Sequence, residues 1–201
     1  MTYIIGILLA AKGIVFVTGL FALTASKIEI APPQIVVAGN EVRATCAVRN
    51  AYPRDLRKLA QSGTDITIYL FVDVKLEVKD AKVAGVVAEN HLLFDPVAAI
   101  YTVRRSSTRD TLRFASLDSA IEASSAFGNL GLLPVGLIDP QARYAFSIYA
   151  VLGKVRVEAL KGNEIDLMYY WNYKRPILGT QPVPGAAFLQ DVKGSSRDAT
   201  P

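Results

Sequence analysis

Alternation of apolar and polar residues, the pattern of strands with one buried face, governs most of the chain from residue 28 onward. Its longest stretch is Asp65 to Val78, DITIYLFVDVKLEV, where Ile66, Ile68, Leu70, Val72, Val74, Leu76 and Val78 fall on one side. Such a run predicts a strand in the middle of a sheet. Upstream, Gln34 to Val37 and Glu41 to Val48 flank Ala38-Gly39-Asn40, whose Gly and Asn suit the positive φ of a hairpin turn. In the second of these strands Val42, Ala44, Cys46 and Val48 share the core face. Downstream, His91 to Phe94 and Ala99 to Arg104 read as strands parted by the turn former Asp95-Pro96, and Thr111 to Ala115 as another. Tyr144 to Leu152 follows, with Tyr144, Phe146, Ile148 and Ala150 on one side. Residues 79–90 fit either a loop or a continuing strand, and Gly128 to Leu137 reads as a loop rich in Gly and Leu. Val155 to Leu160 continues the preceding strand after Gly153, and Ile165 to Tyr173 is the last strand.

Two stretches switch to helical spacing. Asn50 is placed to cap a short helix with Pro53 in its first turn, Leu56, Leu59 and Ala60 on one face, and Gly63 at its end. Ser116 is placed to cap a second, Leu117 to about Phe127, with Asp118 near the positive end of the helix dipole. The expected fold is therefore mainly β (α+β): an antiparallel β-sandwich with two short inserted helices, preceded by an N-terminal hydrophobic helix. A half-open barrel is the alternative. Helices and strands do not alternate strictly, which argues against a doubly wound parallel sheet.

The apolar segment Tyr3 to Ala25 is long enough to cross a bilayer at about 1.5 Å per residue. Lys12 near its middle costs about 2.5–3.5 kcal/mol on insertion, which the surrounding Leu, Ile, Phe and Val residues can offset at about 0.3–0.6 kcal/mol each. The same residues also read as an export signal, with Gly13 to Leu23 as its apolar region and Thr24-Ala25-Ser26 at its end. A helix buried in a soluble core is a third reading; the first two both place residues from Lys27 onward outside the cytoplasm, on the periplasmic side of the membrane. The chain divides into 1–26, a signal peptide or transmembrane anchor; 27–176, the sandwich domain; and 177–201, a flexible tail whose composition includes Pro182, Pro184 and Gly185.

Composition narrows the chemistry. The 201 residues are 51% hydrophobic and 20% charged, with Lys+Arg 22 against Asp+Glu 18. That balance excludes nucleic acid as a partner, because a binder needs a concentrated basic stripe. Arg104, Arg105, Arg109 and Arg113 come nearest to one, and read as the solvated rim of a hairpin. One Cys and one His leave no ordinary metal site or disulfide scaffold, and no G-x-S-x-G, P-loop or dinucleotide fingerprint appears, so no cofactor is expected. Cys46 is expected to pack as a small hydrophobe and His91 to serve as a structural hydrogen-bonder. Asp65, Asp73, Glu77 and Asp80 are spread along or beyond one strand instead of converging, so no catalytic set is identified.

The strand DITIYLFVDVKLEV, then YTVRR at 101–105, FASLDSAIEA at 114–123, LGLLPVGLIDPQARYAFSIYAVL at 130–152 and DLMYYWNYKRP at 166–176 succeed one another in a telling order. From Ile28 to Pro176 the chain resembles an uncharacterised family of proteobacterial envelope proteins, known only as a domain of unknown function. The resemblance implies an exported or membrane-anchored protein, some members being encoded beside a membrane sensor kinase of the nitrogen-regulation type. It implies no activity and no functional residue.

Candidate binding residues come from the last predicted strand, where Tyr169, Trp171 and Tyr173 share one face with Leu167. Rigid rings with polar tips suit a protein partner, a sugar or a membrane interface, and equally a sandwich core. The expected function is a non-catalytic envelope protein, an accessory or interaction subunit that binds a partner protein or membrane assembly. The alternative is a ligand-binding or sensory module for a small molecule or glycan.

Overall fold

The computed structural model describes residues 27–157 and 163–189. The segment 1–26 and residues 190–201 of the expected tail lie outside the described residues, so the anchor or signal reading has no structural counterpart. Two short strands, β1 (Glu29–Ile30) and β2 (Gln34–Ala38), lead into β3 (Glu41–Arg49) and helix α1 (Arg54–Gln61). Four strands follow: β4 (Ile66–Leu76), β5 (Ala81–Asp95), β6 (Ile100–Arg105) and β7 (Asp110–Phe114). Helix α2 (Leu117–Ser125) runs directly into β8 (Ala126–Pro134). The described chain closes with β9 (Arg143–Leu152), β10 (Lys154–Val157), β11 (Asn163–Asp166), β12 (Ile177–Gly179) and β13 (Val183–Pro184).

The fold is mainly antiparallel β, as the alternation predicts. A large sheet has the order β12-β9-β4-β5-β6-β7, with β13 also on β9; in a smaller one β1, β2 and β8 all pair with β3. The two pack face to face: Val42 and Leu133 of the small sheet meet Val74, Tyr144 and Phe146 of the large one. β4 is central, and Ile66, Ile68, Leu70 and Val72 on its inner face are all 0% exposed. The first hairpin turns through Gly39 at φ 63, with Ala38 opposite Glu41.

Several elements depart from the sequence reading, each for a physical reason. Of residues 79–90, Lys79 and Asp80 complete a turn and 81–90 belong to β5, which pairs with β4 from Ile66↔Leu92 to Leu76↔Ala81. Val74 faces Ala84 while Lys75 faces Lys82, so Val83 is an extra residue whose bulge breaks the alternation. The expected loop Gly128 to Leu137 is mostly strand β8, with Leu130, Leu132 and Leu133 buried. Its register on β3 shifts between Val42 and Arg43 and again between Ala44 and Cys46, which hides the period of two. Asn50 does not cap α1; it turns the chain at φ 55 and donates its Nδ2–H to the Lys27 carbonyl at 2.9 Å, while Pro53 takes the N-cap. Helix α2 stops at Ser125 because Phe127 is drawn into the core, at 0% exposure opposite Cys46. Buried Asn90 holds that junction, donating from Nδ2 to the carbonyls of Ser124 (3.0 Å) and Ala126 (2.8 Å).

The C-terminal part differs most. After Gly153, β10 pairs with β11 as a separate ribbon. The expected strand Ile165 to Tyr173 ends at Asp166 and becomes a 3-10 turn over Leu167–Trp171. The stretch read as a flexible tail from residue 177 is, as far as Leu189, part of the fold: β12 and β13 pair with β9, and Phe188 packs edge-on against Tyr144 and Phe146 at 6.3 and 6.2 Å. Short strands interrupted by Pro182 carry little alternation, so only their pairing with β9 identifies them.

Candidate interaction surface

The 3-10 turn is set by its own sequence. Asp166 accepts a hydrogen bond from the Met168 backbone N–H at 2.9 Å, capping the turn, and Asn172 and Tyr173 reverse the chain at φ 50 and 55. Asn tolerates that left-handed region; for Tyr it is held by the Tyr173 N–H bond to the Met168 carbonyl at 2.9 Å. Consequently Tyr169, Trp171 and Tyr173 do not share a face. Trp171 is 1% exposed and donates its indole N–H to the Ala51 carbonyl at 2.8 Å, whereas Tyr169 and Tyr173 are each 65% exposed. Trp171 is a core anchor that ties the turn to the segment before α1. The aromatic stripe expected from a strand is absent there because a helical turn rotates successive side chains around its axis.

The turn instead walls a groove of about 720 Å³, lined by Tyr170, Lys174, Arg175, Pro176 and Ile177 on one side and Lys27, Ile28, Glu29 and Pro53 on the other. A second feature lies on the outer face of the large sheet. Register places Ile177 beside Tyr149, Tyr149 beside Phe71 and Phe71 beside Val87, an apolar row across four strands. Phe71 and Tyr149 stack with ring centres 4.6 Å apart, and the row ends in Ile177 and Val87, 67% and 58% exposed. The solvent side of an antiparallel sheet is ordinarily polar. Sequence reasoning missed this row, although Tyr69 and Phe71 on the supposedly polar face of DITIYLFVDVKLEV were its signal.

The remaining polar candidates are tied into local pairs. His91 Nδ1 lies 3.0 Å from Thr67 Oγ1, with Asp65 and Glu89 carboxylates at 3.4 and 3.6 Å from its ring nitrogens. Asp73 pairs with Lys82 at 2.6 Å, Glu77 with Arg143 at 2.7 Å and Asp80 with Lys75 at 3.0 Å. Arg104 reaches Asp65 at 3.3 Å, and Arg105 grips Asp110 across the β6–β7 turn. The Arg105 guanidinium, with the Thr108 hydroxyl, holds the Asp110 carboxyl well below the usual carboxylate range. Arg109 and Arg113 are exposed on the same hairpin. Cys46 is buried, and burial pushes its thiol up to about 12. Among the described residues no cluster of three or more His, Cys, Asp or Glu is arranged to hold a metal ion, and no helix is long and apolar enough to cross a membrane.

A family model described as a domain of unknown function, DUF4390, matches residues 25–157. The chain belongs to the DUF4390 family. Phe71, Val87 and Tyr149 lie within the DUF4390 domain, while the 3-10 turn and Ile177 follow it. The family match therefore ends before the DLMYYWNYKRP stretch at 166–176 to which the sequence resemblance was extended. Neither a curated protein nor a solved structure matches the chain.

Proposed function

We propose that the protein is a non-catalytic envelope subunit, anchored to or released from the periplasmic side of the cytoplasmic membrane, that binds a partner protein through the outer face of its large sheet. The apolar row Ile177–Tyr149–Phe71–Val87 carries this reading. A contiguous apolar strip on the outer face of a sheet gains free energy when a second surface removes it from water, and its flat stacked rings offer the rigid contact typical of protein interfaces. The reading of a small-molecule or glycan module stands second, because its stacking stripe depended on Trp171 sharing a face with Tyr169 and Tyr173.

A photoreactive residue at Val87 in the full-length chain tests the proposal. The expected result is one discrete protein adduct from the membrane fraction, and loss of that partner on co-purification of Phe71→Asp with its melting temperature retained. No adduct, or equal recovery by the variant, overturns it. A ligand screen by thermal shift tests the second reading, since a ligand of the native state raises its melting temperature by mass action.

A further inference from the structure

The groove beside the 3-10 turn has chemistry of its own. Among the described residues, Lys27, Lys174 and Arg175 have no carboxylate within salt-bridge distance, and the one acid in the lining, Glu29, is engaged by Arg49 at 3.6 Å. The cations Lys75, Lys82, Arg104, Arg105 and Arg143 on the large sheet, by contrast, each hold a carboxylate. Between the groove's cations stand Tyr170, Pro176 and Ile177, with Tyr173 exposed nearby in the chain. Cations interleaved with tyrosines and one exposed aliphatic side chain suit the headgroup layer of a bilayer, where phosphates meet the first acyl carbons.

Chain reach fixes where this groove must sit if Tyr3 to Ala25 occupies the membrane. Lys27 is two residues beyond Ala25, hence at most about 7 Å from it, which is no more than the depth of one headgroup layer. We infer that the groove is a lipid-docking face: Lys27, Lys174 and Arg175 engage the phosphates of an anionic phospholipid surface while Tyr170, Tyr173 and Ile177 enter its interface. Each such cation strengthens association with an anionic surface by about fivefold. Docking fixes the tilt of the sandwich and sets the Ile177 end of the apolar row against the membrane. The inference rests on the anchoring part of the proposed function and goes beyond it, because a tethered domain with no docking face would tumble freely.

The test uses the full chain reconstituted into phosphatidylcholine vesicles with and without phosphatidylglycerol, the lipids carrying a headgroup quencher. A fluorophore is attached through Tyr169→Cys, or through Val78→Cys in the β4–β5 turn at the opposite end of the strands, positions 65% and 89% exposed; buried Cys46 stays unlabelled. The expected result is at least threefold stronger quenching at position 169 than at 78 in phosphatidylglycerol vesicles. Adding Lys174→Glu and Arg175→Glu should reduce it to the level at 78, with flotation and the buried-type emission of Trp171 unchanged. Equal quenching at the two positions in a chain that floats overturns docking and leaves anchoring standing. Quenching at 169 that ignores both phosphatidylglycerol and the charge reversals assigns proximity to the tether, or the groove to residues 1–26, and also overturns docking. A chain that does not float with vesicles overturns both.

Discussion

Replacing Trp171 by Phe removes the indole N–H that satisfies the Ala51 carbonyl at 2.8 Å. Ala51 is 2% exposed, so water cannot readily take over that bond, and an orphaned buried acceptor costs about 1–3 kcal/mol. The smaller ring adds a void in a core where even one methylene is felt, bringing the expected loss to about 2–4 kcal/mol. Trp171→Ala should cost about 3–5 kcal/mol. For a chain of this size each kcal/mol lowers Tm by about 2–4 °C, so the Phe variant should melt roughly 5–15 °C early. Urea unfolding of the full-length chain, followed by far-UV circular dichroism because the only Trp is lost, measures both variants. Tyr169→Ala, at an exposed position, should stay within about 0.5 kcal/mol of the parent. If the Trp171 variants are equally mild, and the parent's emission is quenched by acrylamide as readily as free tryptophan, Trp171 is exposed and the buried 3-10 turn is wrong.

Four further outcomes follow from the structure. Asn90→Leu strands the carbonyls of Ser124 and Ala126 at the α2–β8 junction and should destabilise by about 2–4 kcal/mol in the same urea assay. Gly185→Ala pushes a methyl group against the Asp139 backbone carbonyl and should cost about 1–3 kcal/mol; no effect on Tm would return residues 177–189 to the status of a tail. Asp110, whose folded pKa is depressed, contributes stability that is fully present above the unfolded value near about 4 and is lost as pH falls toward the folded one. Asp110→Asn should therefore lose that contribution at neutral pH and converge on the parent as pH falls, flattening the acid limb of a stability–pH profile below about pH 4. Cys46 should react with a disulfide reagent at pH 8 only as fast as the chain opens, and faster in Trp171→Ala than in the parent.

Elements whose sequence period survived folding were legible. The inner faces of β3, β4 and β9 could be named nearly residue by residue, because an uninterrupted ladder keeps every second side chain on one side; Val78, placed on the same side as β4's core residues, instead lies in the turn after β4, 89% exposed. Elements with a slipped register were not: the extra residue at Val83 and the shifts between β3 and β8 made two well-paired strands look irregular. The shared face expected of Tyr169, Trp171 and Tyr173 was lost for a different reason. LMYYW reads equally as strand or turn over five residues, and the Asp166 cap together with the indole bond to Ala51, 120 residues away in the chain, selects the turn.

By itself the sequence determined the fold class, the central place of DITIYLFVDVKLEV and the burial of Cys46, since these follow from local periodicity and residue chemistry. Tertiary structure decided what lies beside what. Cross-strand register assembled Ile177, Tyr149, Phe71 and Val87 into one row, and chain reversal at Asn172 and Tyr173 set Lys174 and Arg175 beside Lys27. Register and reversal are settled by hydrogen bonds and packing between residues far apart in the chain, and no pattern within a single segment records them.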